Sequence, residues 1–281
     1  MEVSLPTDLV GAASLGDWHL YARNACGTRF GALRDLVLAA ETAGATAFVV
    51  GTEEGGFEPL TLLCALAGIT SRIGLVAGID PRVVPPYTAA RRLAALDHAS
   101  NGRAGWHLAR TVDEAQRREY LQVVHALWDS WAPDVHHCDK DSGVYVDASR
   151  VQAVQHEGAH YQVAGPLDIP RPQQGHLPLY AMDEVAGDEP HADVQPLASE
   201  RVTFGPFTVA VTPLSYRHAV PDDASTPGRD ALVHLPADAA MWPDFVAALA
   251  RHARGISPER MTLRARLQLD SPGLARTKEA L

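Results

Sequence analysis

Between residues 46 and 131 short apolar, β-rich runs alternate with longer segments of helical period, and this alternation confines the chain to a parallel sheet covered by helices. Residues 33–43 have helical spacing and stop at Gly44, and 46–50 reads as a strand buried on both faces. A helix is expected over 59–71, with Pro59 suited to its first turn, followed by a strand at 73–77. A helix at 87–99 and a strand at 103–108 repeat the unit. The segment 112–131 then forms a long amphipathic helix whose apolar face includes Leu121, Val124, Leu127 and Trp128. Residues 3–10 are the expected first strand.

After Pro133 the texture changes to Gly, Asp, His and Pro. An insertion over 133–176 is expected, with a hairpin made by 144–146 and 160–163. Strands follow at 177–181, 207–211, 231–235 and 261–267, with a helix at 242–254. The proline-rich, acidic stretches 183–206 and 220–228 read as loops. Seven or eight strands suit a (β/α)8 barrel of the TIM type better than an open sheet. The short stretch after Leu267 leaves little room for a final strand and helix, so the barrel is expected to be incomplete at its C-terminus. Nothing separates two halves, and residues 1–281 are read as one domain.

A formal charge of −10 argues against a nucleic-acid partner, which requires a basic face, and leaves small molecules as the expected ligands. No apolar run reaches the roughly 18 residues of a membrane helix, and MEVSLPTDLVG lacks the pattern of a leader, so a cytoplasmic location is expected. Cys26, Cys64 and Cys138 form no CxxC spacing, which disfavours a disulfide framework or a thiolate metal site.

Several ordered segments carry a family likeness. VYVDASRVQAVQHEGAHYQVAGPLDIPRPQQG (144–175), EPLTLLCALAGITSRIGL (58–75), PPYTAARRLAALDHASNGRAGW (85–106) and YLQVVHALWDSW (120–131) recur in one family's order over about two thirds of the chain. The sequence resembles the luciferase-like flavin monooxygenases, in the branch acting on nitrilotriacetate, dibenzothiophene sulfone and the pristinamycin precursor. The resemblance implies a barrel whose strand ends hold reduced FMN supplied by a separate flavin reductase. It also implies dioxygen as co-substrate and a homodimer paired through 59–71 and 87–99. Residue by residue, it places Ala77 and Gly78 where small residues let a flavin ring approach the backbone, and Trp106 beside the ring. His107 stands where the family has an asparagine, as a catalytic group able to hydrogen-bond a flavin carbonyl or move a proton. The long loop after this strand is deleted. Met182 falls at the flavin site, but Asp183 and Glu184 occupy the position of the family's phosphate-gripping glycine and serines, with Arg110 and Arg201 as candidate compensating cations.

HEGAH (156–160) spells the zinc-protease pattern, which works only on a helix, whereas Gly158 and strand-like flanks argue for a turn. His136, His137, Cys138 and Asp139 read as a polar loop rather than a metal site. Two functions remain open at this point: a flavin-dependent monooxygenase acting on a small organic substrate, or a degenerate barrel that has lost flavin and serves as a binding or dimerisation partner.

Overall fold

A computed structural model describes residues 15–22, 28–52, 56–109, 111–136, 138–182, 192–196, 199–216, 229–252 and 261–269. In chain order the elements are β1 (Leu15–Ala22), α1 (Phe30–Ala43), β2 (Ala47–Val50), α2 (Pro59–Ala67), β3 (Gly74–Ile79), α3 (Pro86–Ser100), β4 (Ala104–Leu108) and α4 (Glu114–Asp129). They continue with a small hairpin of β5 (His156–Glu157) and β6 (Gln162–Val163), then β7 (Leu179–Tyr180), β8 (Val194–Pro196), β9 (Glu200–Phe204), β10 (Phe207–Tyr216), β11 (Arg229–His234), α5 (Trp242–Ala250) and α6 (Leu263–Arg266).

The strands β1, β2, β3, β4, β7, β8, β10 and β11 pair in that order, and β11 pairs back to β1, so the sheet closes. All are parallel except β10, which runs against both β8 and β11. Followed once round the sheet, the registered pairs return to β1 eight residues from their start. Strand number and shear are therefore both eight, and the strands tilt about 36° to the axis.

Strands β2, β3 and β4 are buried at every position, as parallel strands between a lumen and a helix layer must be. Their outward side chains, among them Phe48, Leu75 and Trp106, pack on Leu33, Leu63, Leu93 and Val124 of α1 to α4. Local signals set the helix boundaries. Glu58 accepts hydrogen bonds from the amides of Leu60 and Thr61 at the start of α2, Asp113 does the same for Gln116 in α4, and α1 ends on left-handed Gly44.

Several expectations are corrected. Residues 3–10 lie outside the described residues, and the first strand seen is β1. The expected late strand at 261–267 is α6. Met261, Leu263, Ala265, Leu267 and Leu269 alternate as a strand would, but the Thr262 hydroxyl caps the Ala265 amide at 3.1 Å and turns the chain into a short helix. Closure comes from antiparallel β10 instead of a missing final strand. The stretch 183–206, read as loop, contains β8 and β9. Gly205, at φ 60°, and Pro206 make the two-residue turn into β10, with glycine supplying the positive φ of a type II′ hairpin. In the insertion, β6 pairs with β5, whereas Val146 bridges to His136. None of the described helices is long and apolar enough to cross a membrane.

Candidate functional site

In a barrel of this shear the inward side chains come from alternate strands and stack in layers. Above an end layer that includes Gly74 and Tyr216, one layer holds Ala47, Gly105, Val194 and Asp230, and the next holds His19, Val76, Tyr180 and Leu214. Above them lie Val49, His107 and Leu232, then Tyr21, Gly78, Met182 and Thr212, with His234 ending β11 at the rim. The N-terminal end is stoppered by α6, whose Leu263 packs over Gly74 and Gly105 beside Leu267 and Leu269. The C-terminal strand ends, the end at which barrels of this kind do chemistry, are therefore the side from which a ligand would approach.

Two buried imidazoles stand in this lumen. The His19 ring lies with Nδ1 3.4 Å from the Tyr180 hydroxyl and Nε2 3.3 Å from that of Tyr216. Burial, helped by the Arg266 charge, lowers its pKa to about 3. His107 donates from Nε2 to the Val50 carbonyl at 3.3 Å, since a carbonyl can only accept, and Nδ1 remains its acceptor nitrogen. Burial lowers its pKa to about 4; the Val50 bond opposes the shift and the Arg117 charge adds to it. Both rings are neutral at pH 7. Tyr180 and Tyr216 are held protonated, first by burial and, for Tyr216, by the Asp230 carboxylate.

The rim has a polar side on β10 and β11. Ser199 and Thr212 join hydroxyls at 2.7 Å, Thr212 lies 3.5 Å from His234 Nε2, and the His234 ring meets Tyr21 edge-on at 5.1 Å. On the opposite side the link from β4 to α4 is short and pinned. The Ala109 amide bonds the Ile79 carbonyl at 2.9 Å, and the Thr111 hydroxyl donates to Asp80 at 2.6 Å. Burial opposes ionisation of Asp80, but the Arg82 and Thr111 hydrogen bonds win and hold its carboxyl at about 2.

The structure brings together some of the residues picked from sequence and separates others. His107, Gly78 and Met182 face the lumen near the mouth. Ala77 and Trp106 do not: strand alternation turns their side chains into the helix layer, where Trp106 meets Trp128 edge-on at 5.8 Å. At most their backbone borders the site. The space above Gly78 belongs to His107, because a Cβ there would lie 2.6 Å from Nε2 and 2.9 Å from the Val50 oxygen. Arg110, His137, Asp183 and Glu184 lie outside the described residues, and Arg201 sits exposed on β9. His19, Tyr21, Thr212 and His234 escape sequence reasoning, although the polar residues Asp17, His19 and Tyr21 at every second position of β1 are a readable sign of a polar inner face.

HEGAH proves to be the β5–β6 turn region docked on α4. Glu119 accepts from the amides of His160 and Tyr161 at 2.9 and 2.8 Å and from His156 Nε2 at 3.1 Å. The glutamate that organises the two histidines is thus on another element. His136 stacks on Trp131, and no group of three His, Cys, Asp or Glu suited to a metal occurs among the described residues.

The luciferase-like monooxygenase family profile matches residues 13–182. One of the pristinamycin IIA synthase subunits of Streptomyces pristinaespiralis is 38% identical over 153 residues, which cover 52% of this chain and 55% of that protein. Nitrilotriacetate monooxygenase component A of Aminobacter aminovorans is 39% identical over 137 residues, 42% of this chain and 30% of the other. The matched region thus spans between about a third and a half of these relatives. Among solved structures, a riboflavin lyase matches with a TM-score of 0.54 at 23% identity, covering 58% of this chain and 49% of the other. A long-chain alkane monooxygenase matches at 0.53 and 20%, covering 61% and 52%. These two likenesses concern the fold.

Proposed function

We propose, from the premise that this chain belongs to the luciferase-like monooxygenase family, that it is an oxidoreductase using a reduced flavin, FMN, at the barrel mouth to oxygenate a small organic substrate. The observation that carries the reading is the floor of the mouth. Tyr21, Met182, Thr212 and neutral His107 form a surface of apolar faces and uncharged hydrogen-bonding groups over a lumen packed with side chains. That donor set suits a flat heteroaromatic ring carrying amide-like edges, and Gly78 makes room for the His107 imidazole that forms part of the floor.

A reduced flavin supplies the electrons with which dioxygen is split, one oxygen atom going to the substrate and the other leaving as water. The chain's own contribution is to seat the ring, exclude water from below and offer hydrogen bonds that do not titrate near neutrality. His107 has its N–H committed to Val50, so it serves as a hydrogen-bond acceptor through Nδ1. The relatives' names, one a synthase subunit and one a monooxygenase component, describe parts of larger enzymes, which supports a separate flavin reductase as partner. A homodimer through α2 and α3 accords with the same reading. The family match and the monooxygenase relatives weigh for the enzyme over a barrel kept only as a binding partner.

The test is an anaerobic titration with reduced FMN followed by rapid admission of oxygen. Binding tighter than about 100 µM, roughly 5.5 kcal/mol, with flavin reoxidation altered relative to free flavin is the expected result. Absence of binding at millimolar flavin refutes the reading.

A further inference from the structure

Strands β8 and β9 run in one direction along β10, their registers slipping by one residue between the Pro196–Leu214 and Glu200–Val211 pairs. Because β8 is parallel to β7, this composite strand leaves the barrel at its C-terminal end, and the turn at Gly205 stands beyond the mouth. One face of the resulting hairpin is apolar and fixed. Phe207 meets Phe245 edge-on at 5.5 Å, Phe204 meets His252 at 5.6 Å, and Val209 and Val211 are buried beside them against α5.

Alternation then decides what the other face shows. Thr208 and Thr212 share it with Leu214, which lies in the lumen, and directly paired residues of antiparallel strands point the same way. Arg201, opposite Ala210, and Thr203, opposite Thr208, therefore face the mouth side. The Thr203 and Thr208 hydroxyls meet at 3.0 Å, and the Ser199–Thr212 pair continues the strip at the rim. No carboxylate pairs with the exposed Arg201 among the described residues. At about 3.3 Å per residue, Arg201 stands roughly 7 Å beyond Ser199. A ligand whose ring rests on the floor reaches it only with a tail of several bonds.

We propose that the β9–β10 wall grips the terminal oxyanion of the ligand seated in the mouth, a phosphate monoester when that ligand is FMN. A guanidinium has donors and no acceptor, and hydroxyls above and below it add donors that adapt to a tetrahedral anion. In sequence the carboxylates Asp183 and Glu184 follow β7 where the family resemblance implies phosphate-gripping glycine and serines, a substitution that disfavours an anion there, and the wall offers the alternative. The inference rests on the flavin reading and adds the residues that select a phosphorylated flavin.

The experiment compares reduced FMN with reduced riboflavin by quenching of tryptophan fluorescence under anaerobic conditions, for the native protein, R201Q and the double variant T203V/T208V. The native protein is expected to prefer FMN by about tenfold or more, with the preference shrinking as salt rises. R201Q should weaken FMN about tenfold while leaving riboflavin within about twofold, and the threonine variant should show a smaller loss in the same direction. Equal binding of the two flavins by the native protein, or FMN affinity untouched in R201Q, overturns the wall as the anion site and leaves the flavin reading standing. Failure of both flavins to bind defeats that reading and this inference with it.

Discussion

Gly78→Ala tests whether the mouth is built as described. The new methyl would stand 2.6 Å from His107 Nε2, 2.8 Å from Thr52 Cγ2 and 2.9 Å from the Val50 oxygen. Val50 ends β2 and is held in the sheet on both sides, so its carbonyl cannot retreat, and the imidazole must leave its 3.3 Å hydrogen bond. Overpacking by one methyl costs about 1–3 kcal/mol, and an unsatisfied buried N–H adds about 1–3. The entropy gained on replacing glycine returns up to about 1 kcal/mol. The expected net destabilisation is about 2–4 kcal/mol, read from urea midpoints at constant m-value. His107→Ala removes the nearest of the three obstacles. In that background the overpacking against the Val50 oxygen and Thr52 remains while the displaced N–H is gone, so the Gly78→Ala cost should fall by about 2 kcal/mol, the coupling across the cycle. Equal costs in the two backgrounds mean that the imidazole does not occupy the space over Gly78, and the assignment of the mouth fails.

Acid should destabilise the protein well above the carboxylate range. His19 and His107 have pKa values of about 3 and about 4 when folded against 6.5 unfolded, so the unfolded chain binds more protons and stability falls as pH drops below 6.5. Between pH 6.5 and 5 each ring should cost about 2 kcal/mol, and urea midpoints in H19Q should flatten by half the effect; a flat native profile rejects the buried neutral rings. Glu119→Gln weakens three hydrogen bonds to the β5–β6 region and should cost about 2 kcal/mol, with faster hydrogen exchange at the His160 and Tyr161 amides; unchanged exchange dissociates HEGAH from α4. Leu263→Ala opens the stopper beneath the lumen and should cost about 3–5 kcal/mol, whereas a loss below about 1 would show that α6 does not fill the barrel end.

The first half of the barrel was legible because its strands are buried on both faces and its helices carry their own punctuation. The apolar runs at 46–50 and 73–77, Pro59, Gly44 and the stripe on α4 each state locally what the fold requires. The later part contradicts its local signals. Residues 261–269 alternate like a strand yet form a stopper, since a period of two cannot be told from one helical turn flanked by inward leucines. The β9–β10 hairpin was hidden in acidic, proline-rich surroundings, although Phe-Gly-Pro-Phe between alternating apolar positions is a turn signal. In the site, the identity of His107 was readable and its orientation was not. Whether Ala77 or Gly78 faces the lumen turns on a single residue of register, which only the closed sheet fixes.

That division has a functional consequence. The part of the chain matched by the family profile supplies Tyr21, Gly78, His107 and Met182, which make the floor of the mouth, and its matched helices supply the scaffold around them. The rest of the ring comes from beyond residue 182, where β10 enters antiparallel and carries Thr212, while β9 and β11 carry Arg201 and His234. Closure with a shear of eight fixes where an inward residue of β10 lies but says nothing about its chemistry. The strand that completes the cylinder is thus free to differ in composition at little cost to the fold, and its hydroxyls, with the Arg201 guanidinium of the adjoining β9, stand where the proposed ligand would place its anionic end. Ring binding and anion binding accordingly draw on separate stretches of sequence. Changes on the β9–β10 face should alter which ligand is taken while leaving the stability read from urea midpoints within about 0.5 kcal/mol of native, because Arg201, Thr203 and Thr208 are exposed. Loss of stability in R201Q comparable to that in L263A would show instead that the wall is a structural part of the barrel, and the separation of the two roles would not hold.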